Sequence, residues 1–116
     1  MRKIFSILAL AITMALAGCA IGGNIVPQEE VEAKYGPLPE NYQELVMAYA
    51  KGQLIDPDSA RYEFFPPAPR TVGWVGQVYV NARNRFGGYT GRQLFVWKII
   101  HGQAVFFARD PTGIVW

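Results

Sequence analysis

One cysteine constrains this chain more than any other residue. Cys19 has no second cysteine to pair with, so no intrachain disulfide can offset the thin core of a small domain. The fold must be held by side-chain packing, and fourteen of the sixteen Phe, Tyr and Trp residues lie beyond residue 40 to supply it. Cys19 also closes a distinctive segment. Met1-Arg2-Lys3 is basic, residues 4–17 carry no charge, and Ser6 and Thr13 are their only polar side chains. This is the basic region, apolar region and small-residue processing site of a secretory signal. As a membrane span the run is short, because about 20 apolar residues are needed to cross the hydrocarbon core. Gly18, Gly22 and Gly23 would weaken a helix where it had to continue.

Leu16-Ala17-Gly18-Cys19 resembles the lipobox of bacterial lipoproteins, in which the cysteine is lipidated and becomes the first residue of the mature chain. The resemblance implies a signal peptide over 1–18, a covalent lipid on Cys19 and no other cofactor. Acylation would hold the protein on the membrane, since each buried CH₂ contributes about 0.8 kcal/mol and several chains hold far better than one. In that family an Asp after the cysteine retains the protein at the inner membrane. Here the residue is Ala20, which implies the outer membrane and its periplasmic face. Ordinary cleavage with a free Cys19, or an uncleaved anchor, are the alternatives.

Processing at Cys19 would leave 98 residues with nine basic and nine acidic side chains, a single domain of zero formal charge. The distribution is uneven. Eight acids lie between Glu29 and Glu63 against Lys34, Lys51 and Arg61, whereas six basic residues follow Phe64 against Asp110 alone. Charge complementarity within the molecule is the expectation, and a basic face for an acidic partner is the alternative.

Glycines and prolines punctuate residues 19–39, which read as a lipidated flexible tether, leaving 40–116 as the globular domain. Residues 40–51 predict a helix, with Tyr42, Leu45, Val46 and Tyr49 on one apolar stripe. Asp56-Pro57 predicts a capped turn with Asp56 at the N-cap. Residues 62–65 predict a short strand ended by Pro66-Pro67-Ala68-Pro69 as an extended crossing. From Val72 to Arg83 the chain alternates, with Trp74, Gly76, Val78 and Val80 on one face and Gln77, Tyr79 and Asn81 on the other. Residues 94–100 are apolar throughout except Lys98, as in a central strand covered on both faces. A tight turn at His101-Gly102-Gln103 returns residues 104–109 as a hairpin partner. The expected fold class is α+β, one main N-terminal helix packed on a small antiparallel sheet of three to four strands.

Residues 81–92 combine Arg83, Arg85 and Arg92 with Phe86 and Tyr89, two asparagines and three glycines. Arginine beside aromatic rings suits anion, carbohydrate or peptide recognition, and loops on a rigid scaffold carry such residues. A wide hairpin connection, with glycines at positive φ and aromatics plugging the core edge, explains the same composition without a ligand. Asp56-Pro57-Asp58-Ser59-Ala60, followed by Val80-Asn81-Ala82-Arg83-Asn84-Arg85-Phe86-Gly87-Gly88-Tyr89-Thr90-Gly91, resembles a group of small bacterial lipoproteins and phage-associated proteins. The likeness covers roughly residues 42–105. The group has no established activity, so it implies no mechanism, and Gly76-Gln77 departs from the Cys-Gly expected in its members.

Catalytic residues are scarce. His101 is the only histidine, Ser59 the only serine after residue 18, and nothing in their spacing suggests a triad. Without a second histidine or spare cysteine no zinc site is expected. Asp56, Asp58 and Glu63 lack the spacing of an EF-hand. Residues 86–89 do not match an RNA-recognition strand, and no nucleic-acid partner is expected. The reading is a non-enzymatic, membrane-anchored interaction or envelope-assembly module, contacting another envelope protein through Arg83, Arg85, Phe86, Tyr89 and Arg92. The alternative is an inhibitor of an envelope hydrolase such as lysozyme, with Tyr89 or Arg92 entering the enzyme's cleft.

Overall fold

The computed structural model describes residues 23–116; Cys19 and the apolar run before it lie outside the described residues. The fold is α+β. Helices α1 (Gln28–Tyr35) and α2 (Tyr42–Ala50) lead through 3₁₀ turns at Lys51–Gln53 and Pro57–Ser59 into five strands. These are β1 (Arg61–Phe64), β2 (Ala68–Arg70), β3 (Gly73–Asn81), β4 (Gln93–Ile100) and β5 (Gln103–Arg109). All pairings are antiparallel, in the order β1-β3-β4-β5. β2 continues the β1 side, pairing with residues 73–75 of β3 while β1 pairs with 78–81.

The five-stranded sheet is larger than the three to four strands expected. β2 escapes the sequence pattern because it contains Pro69, which has no N–H to donate. An edge strand tolerates it, and the Pro69 carbonyl still accepts from the Val26 N–H at 3.1 Å. Among the described residues there are two short helices, of eight and nine residues, so one main helix is not confirmed. The expected tether is also shorter, since Val31 of α1 is 1% exposed within the core. The Tyr35 hydroxyl donates to Thr71 O at 3.0 Å, and Trp74 Nε1 donates to Gly36 O at 3.0 Å. Residues 23–39 therefore pack on the sheet they were expected to suspend.

The alternation in β3 places Trp74, Val78 and Val80 in one core cluster with Trp97, Ile99 and Phe107. From α2 the buried residues are Val46 and Ala50 rather than the whole expected stripe. Tyr49 is 40% exposed and donates its hydroxyl to Val105 O at 3.3 Å. Gly76 lies opposite Trp97, and a Cβ there would fall 2.6 Å from the indole Cε2. Absence of a side chain is thus what lets Trp97 lie flat on β3. Tyr42 covers the indole from the helix side, stacked with ring centroids 5.4 Å apart.

The opposite face is also buried. Val75, Gln77, Leu94 and Val96 are all under 5% exposed, and residues 110–116 return across them. Gln77 Nε2 donates to Asp110 Oδ2 at 3.2 Å and to Ile114 O at 3.0 Å, and its Oε1 accepts from the Trp116 N–H at 2.9 Å. β4 is therefore central and covered on both faces, as its apolar run suggested. The tight turn is also found: His101 (φ 51°) and Gly102 (φ 73°) are both left-handed, the geometry that matches strand twist in a two-residue hairpin.

Candidate functional site

The β3–β4 connection keeps pairing beyond the strands. Thr90 N–H donates to Ala82 O at 3.2 Å, Asn84 N–H to Gly88 O at 2.9 Å, and Arg83 bridges Tyr89. Asn84 then turns the chain. Its side-chain oxygen accepts from the Phe86 N–H at 2.9 Å and the Gly88 N–H at 3.3 Å, while its carbonyl accepts from Gly87 N–H at 3.0 Å. Such a side-chain mimic of a backbone turn is the ordinary use of asparagine, and Gly87 supplies the required positive φ of 86°. At the root, Asn81 Oδ1 accepts from Gly91 N–H at 3.1 Å. The stretch is a narrowing hairpin with an internally bonded tip.

The five residues singled out in the sequence divide into two sets. Arg83 donates its N–H to Ser59 Oγ at 2.9 Å and holds Nε 3.2 Å from Asp56 Oδ2. Tyr89 donates its hydroxyl to Ser59 O at 3.1 Å, and Arg61 lies over its ring at 4.4 Å. Arg92 pairs with Glu63 at 2.9 Å and covers the Tyr79 ring at 4.5 Å. These three belong to the root. Arg85 and Phe86 form the other set: neither side chain has a hydrogen-bond or ion-pair partner among the described residues, and Phe86 is 89% exposed.

Ser59 is the residue that sequence reasoning undervalued. Its hydroxyl donates to Asp56 O at 2.7 Å while accepting from Arg83, so a buried serine locks the 56–60 turn to the hairpin root. The 56–60 turn and the 80–91 stretch, twenty residues apart in sequence, are thus one structural unit. Asp56 stands at the N-cap position of the Pro57–Ser59 turn, but its carboxylate turns to Arg83 and makes no cap hydrogen bond. Both ion pairs of the described residues join the acidic segment to the basic one, as charge complementarity anticipated. Each is solvent-exposed, where such pairs contribute about 1 kcal/mol or less. Their effect is to fix the hairpin's direction.

Ser59 and His101 lie at opposite ends of the sheet, Ser59 against the root that precedes β4 and His101 in the turn that follows it. Among the described residues no three His, Cys, Asp or Glu side chains gather where they could hold a metal ion. No helix among them is long and apolar enough to cross a membrane. No family model, curated protein or solved structure matches this chain.

Proposed function

We propose that this chain is a lipid-anchored, non-enzymatic protein of the bacterial envelope that captures another envelope protein with the tip of the 83–92 hairpin. Anchoring would come through Cys19, and Ala20 favours the periplasmic face of the outer membrane. The observation that carries the reading is the division within the hairpin. Arg83, Tyr89 and Arg92 are occupied in holding the root, whereas the bonded tip presents Phe86 and Arg85 to solvent. Ordering a large aromatic side chain in water gains little for folding. On a pre-organised loop the same side chain offers apolar area and a cation at small entropic cost, the usual composition of an interface hot spot.

The test is in-cell photo-crosslinking from position 86, with exposed position 40 as the control. A discrete partner joined only from position 86 supports the reading, and no partner, or equal yields from both positions, removes it. Metabolic labelling with a palmitate analogue is expected to mark the wild-type protein and to leave Cys19→Ala unlabelled. No label on the wild type would count against lipid anchoring.

A further inference from the structure

At the root of the hairpin, on the helix-covered side of the sheet, the fold leaves a cavity of about 280 Å³. This is near the lower limit of the roughly 300–1,000 Å³ typical of small-molecule sites. One wall is the segment that follows α2 and the Lys51–Gln53 turn, through Gln53, Leu54 and Ile55. Leu54, Val80 and Phe95 line it, and Ile55 stands beside them 65% exposed.

Charge in this cavity is one-sided. Arg83 and Arg109 are among its lining residues, and no aspartate or glutamate is. Arg83 already has an ion-pair partner, Asp56 at 3.2 Å. Arg109 has no ion-pair partner among the described residues. Its place opposite Phe95 in the β4–β5 pairing puts it on the same face as the apolar floor. One uncompensated guanidinium beside an apolar trough matches one negative charge on a small apolar body. A planar guanidinium favours a carboxylate, which it can meet through two parallel hydrogen bonds.

We propose that this cavity binds a carboxylate carried on a compact apolar body, with Arg109 taking the carboxylate and Leu54, Val80 and Phe95 the apolar part. A free amphipathic acid and the C-terminal residue of a peptide share this chemistry. The site lies at the root of the hairpin and does not depend on what the tip contacts.

The experiment titrates the isotopically labelled full chain with 3-phenylpropionate and follows the backbone amides of Leu54, Ala82 and Phe95 by NMR. The neutral 3-phenylpropionamide is the control, and acetyl-Ala-Leu with a free carboxylate is the peptide arm. Saturable shifts with the acid, absent with the amide and weakened about tenfold or more by Arg109→Gln, are the expected result. Binding of acetyl-Ala-Leu more tightly than the acid assigns the site to peptide C-termini, and the reverse order assigns it to free acids. Equal response to acid and amide, an unchanged affinity in Arg109→Gln, or no saturable shift with either acid overturns the proposal. Arg109 is exposed on an edge strand, so its replacement leaves the fold intact, which unchanged amide spectra away from the cavity verify.

Discussion

The two faces of the sheet are both buried, but by different means. On the helix side Trp97 is trapped between Gly76 and Tyr42 and surrounded by aliphatic side chains. Close packing holds that face together, and the buried indole Nε1 has no hydrogen-bond partner among the described residues. On the tail side a polar side chain is the centre. Gln77, 2% exposed, bonds Asp110, Ile114 and Trp116, and Arg70 covers the Trp116 ring at 4.6 Å. Packing tolerates little change in shape, whereas a hydrogen-bonded cover can be lost locally without unfolding what lies beneath. The first face should govern global stability and the second the attachment of residues 110–116.

The largest effect expected is from Trp97→Ala. Removing the central indole should cost about 3–5 kcal/mol, a large share of the stability of a domain this small, read as a lower denaturant midpoint. A loss as small as that of an exposed residue would show that the helix side does not carry the fold.

Gln77→Leu comes next. The apolar replacement keeps the strand face but leaves three tail groups without their partner, at about 1–3 kcal/mol. Hydrogen exchange should quicken at Ile114 and Trp116 while the amides of β4 stay protected. Equal loss of protection in both would merge the two faces into one cooperative unit.

A smaller effect should come from Asp110. Burial alone would raise its carboxyl pKa, but hydrogen bonds from the Thr112 side chain and backbone, from Gln77 and from the Gly113 N–H prevail and hold it below the ordinary 3.8. The folded state therefore prefers the ionised form. Its stabilisation is complete above pH 3.8, where the unfolded group is ionised too, and is lost as the pH falls through the lower folded value. Against Asp110→Asn, the wild type should lose its advantage only below that pH. An advantage that persisted in acid would assign it to shape rather than charge.

The smallest effect belongs to the hairpin tip. Arg85→Ala with Phe86→Ala should change stability by no more than about 0.5 kcal/mol each, as for exposed positions without partners, while abolishing partner capture. A marked drop in melting temperature would make the tip part of the fold.

Much of this architecture is visible in local pattern. The alternation from Trp74 to Val80 identifies the face that meets the helices, because successive side chains in a strand point opposite ways. The apolar run of β4 marks a strand covered twice, and His101-Gly102 marks its turn. The same alternation misleads at Gln77, a polar residue on the second face that would point to water if the chain did not return over it. Val31 is hidden for a related reason. In Gln28–Tyr35 it is the only aliphatic residue larger than alanine, so only Val31 and Tyr35, four residues apart, announce a helix that docks through those two side chains.

The candidate site was half legible. Arginines and aromatics between two strands identify the hairpin, and the Asp56–Ala60 turn is recognisable by itself. Nothing local says that Ser59 and Asp56 will receive Arg83, or Ser59 the Tyr89 hydroxyl. Those contacts separate root from tip, and they exist only once β1 has paired with β3 and drawn the turn alongside.

By itself the sequence determined the class of the fold, the face of the central strand that meets the helices, the lack of disulfide support and the placing of cations and aromatics on one connection. These are consequences of side-chain period, residue chemistry and count, which act over a few neighbours. Tertiary structure decided which polar residues are buried, which of five promising side chains are spent on the scaffold, and where a cavity remains beside an unpaired arginine. Those depend on segments tens of residues apart meeting at hydrogen-bond distance, and no local pattern encodes that meeting.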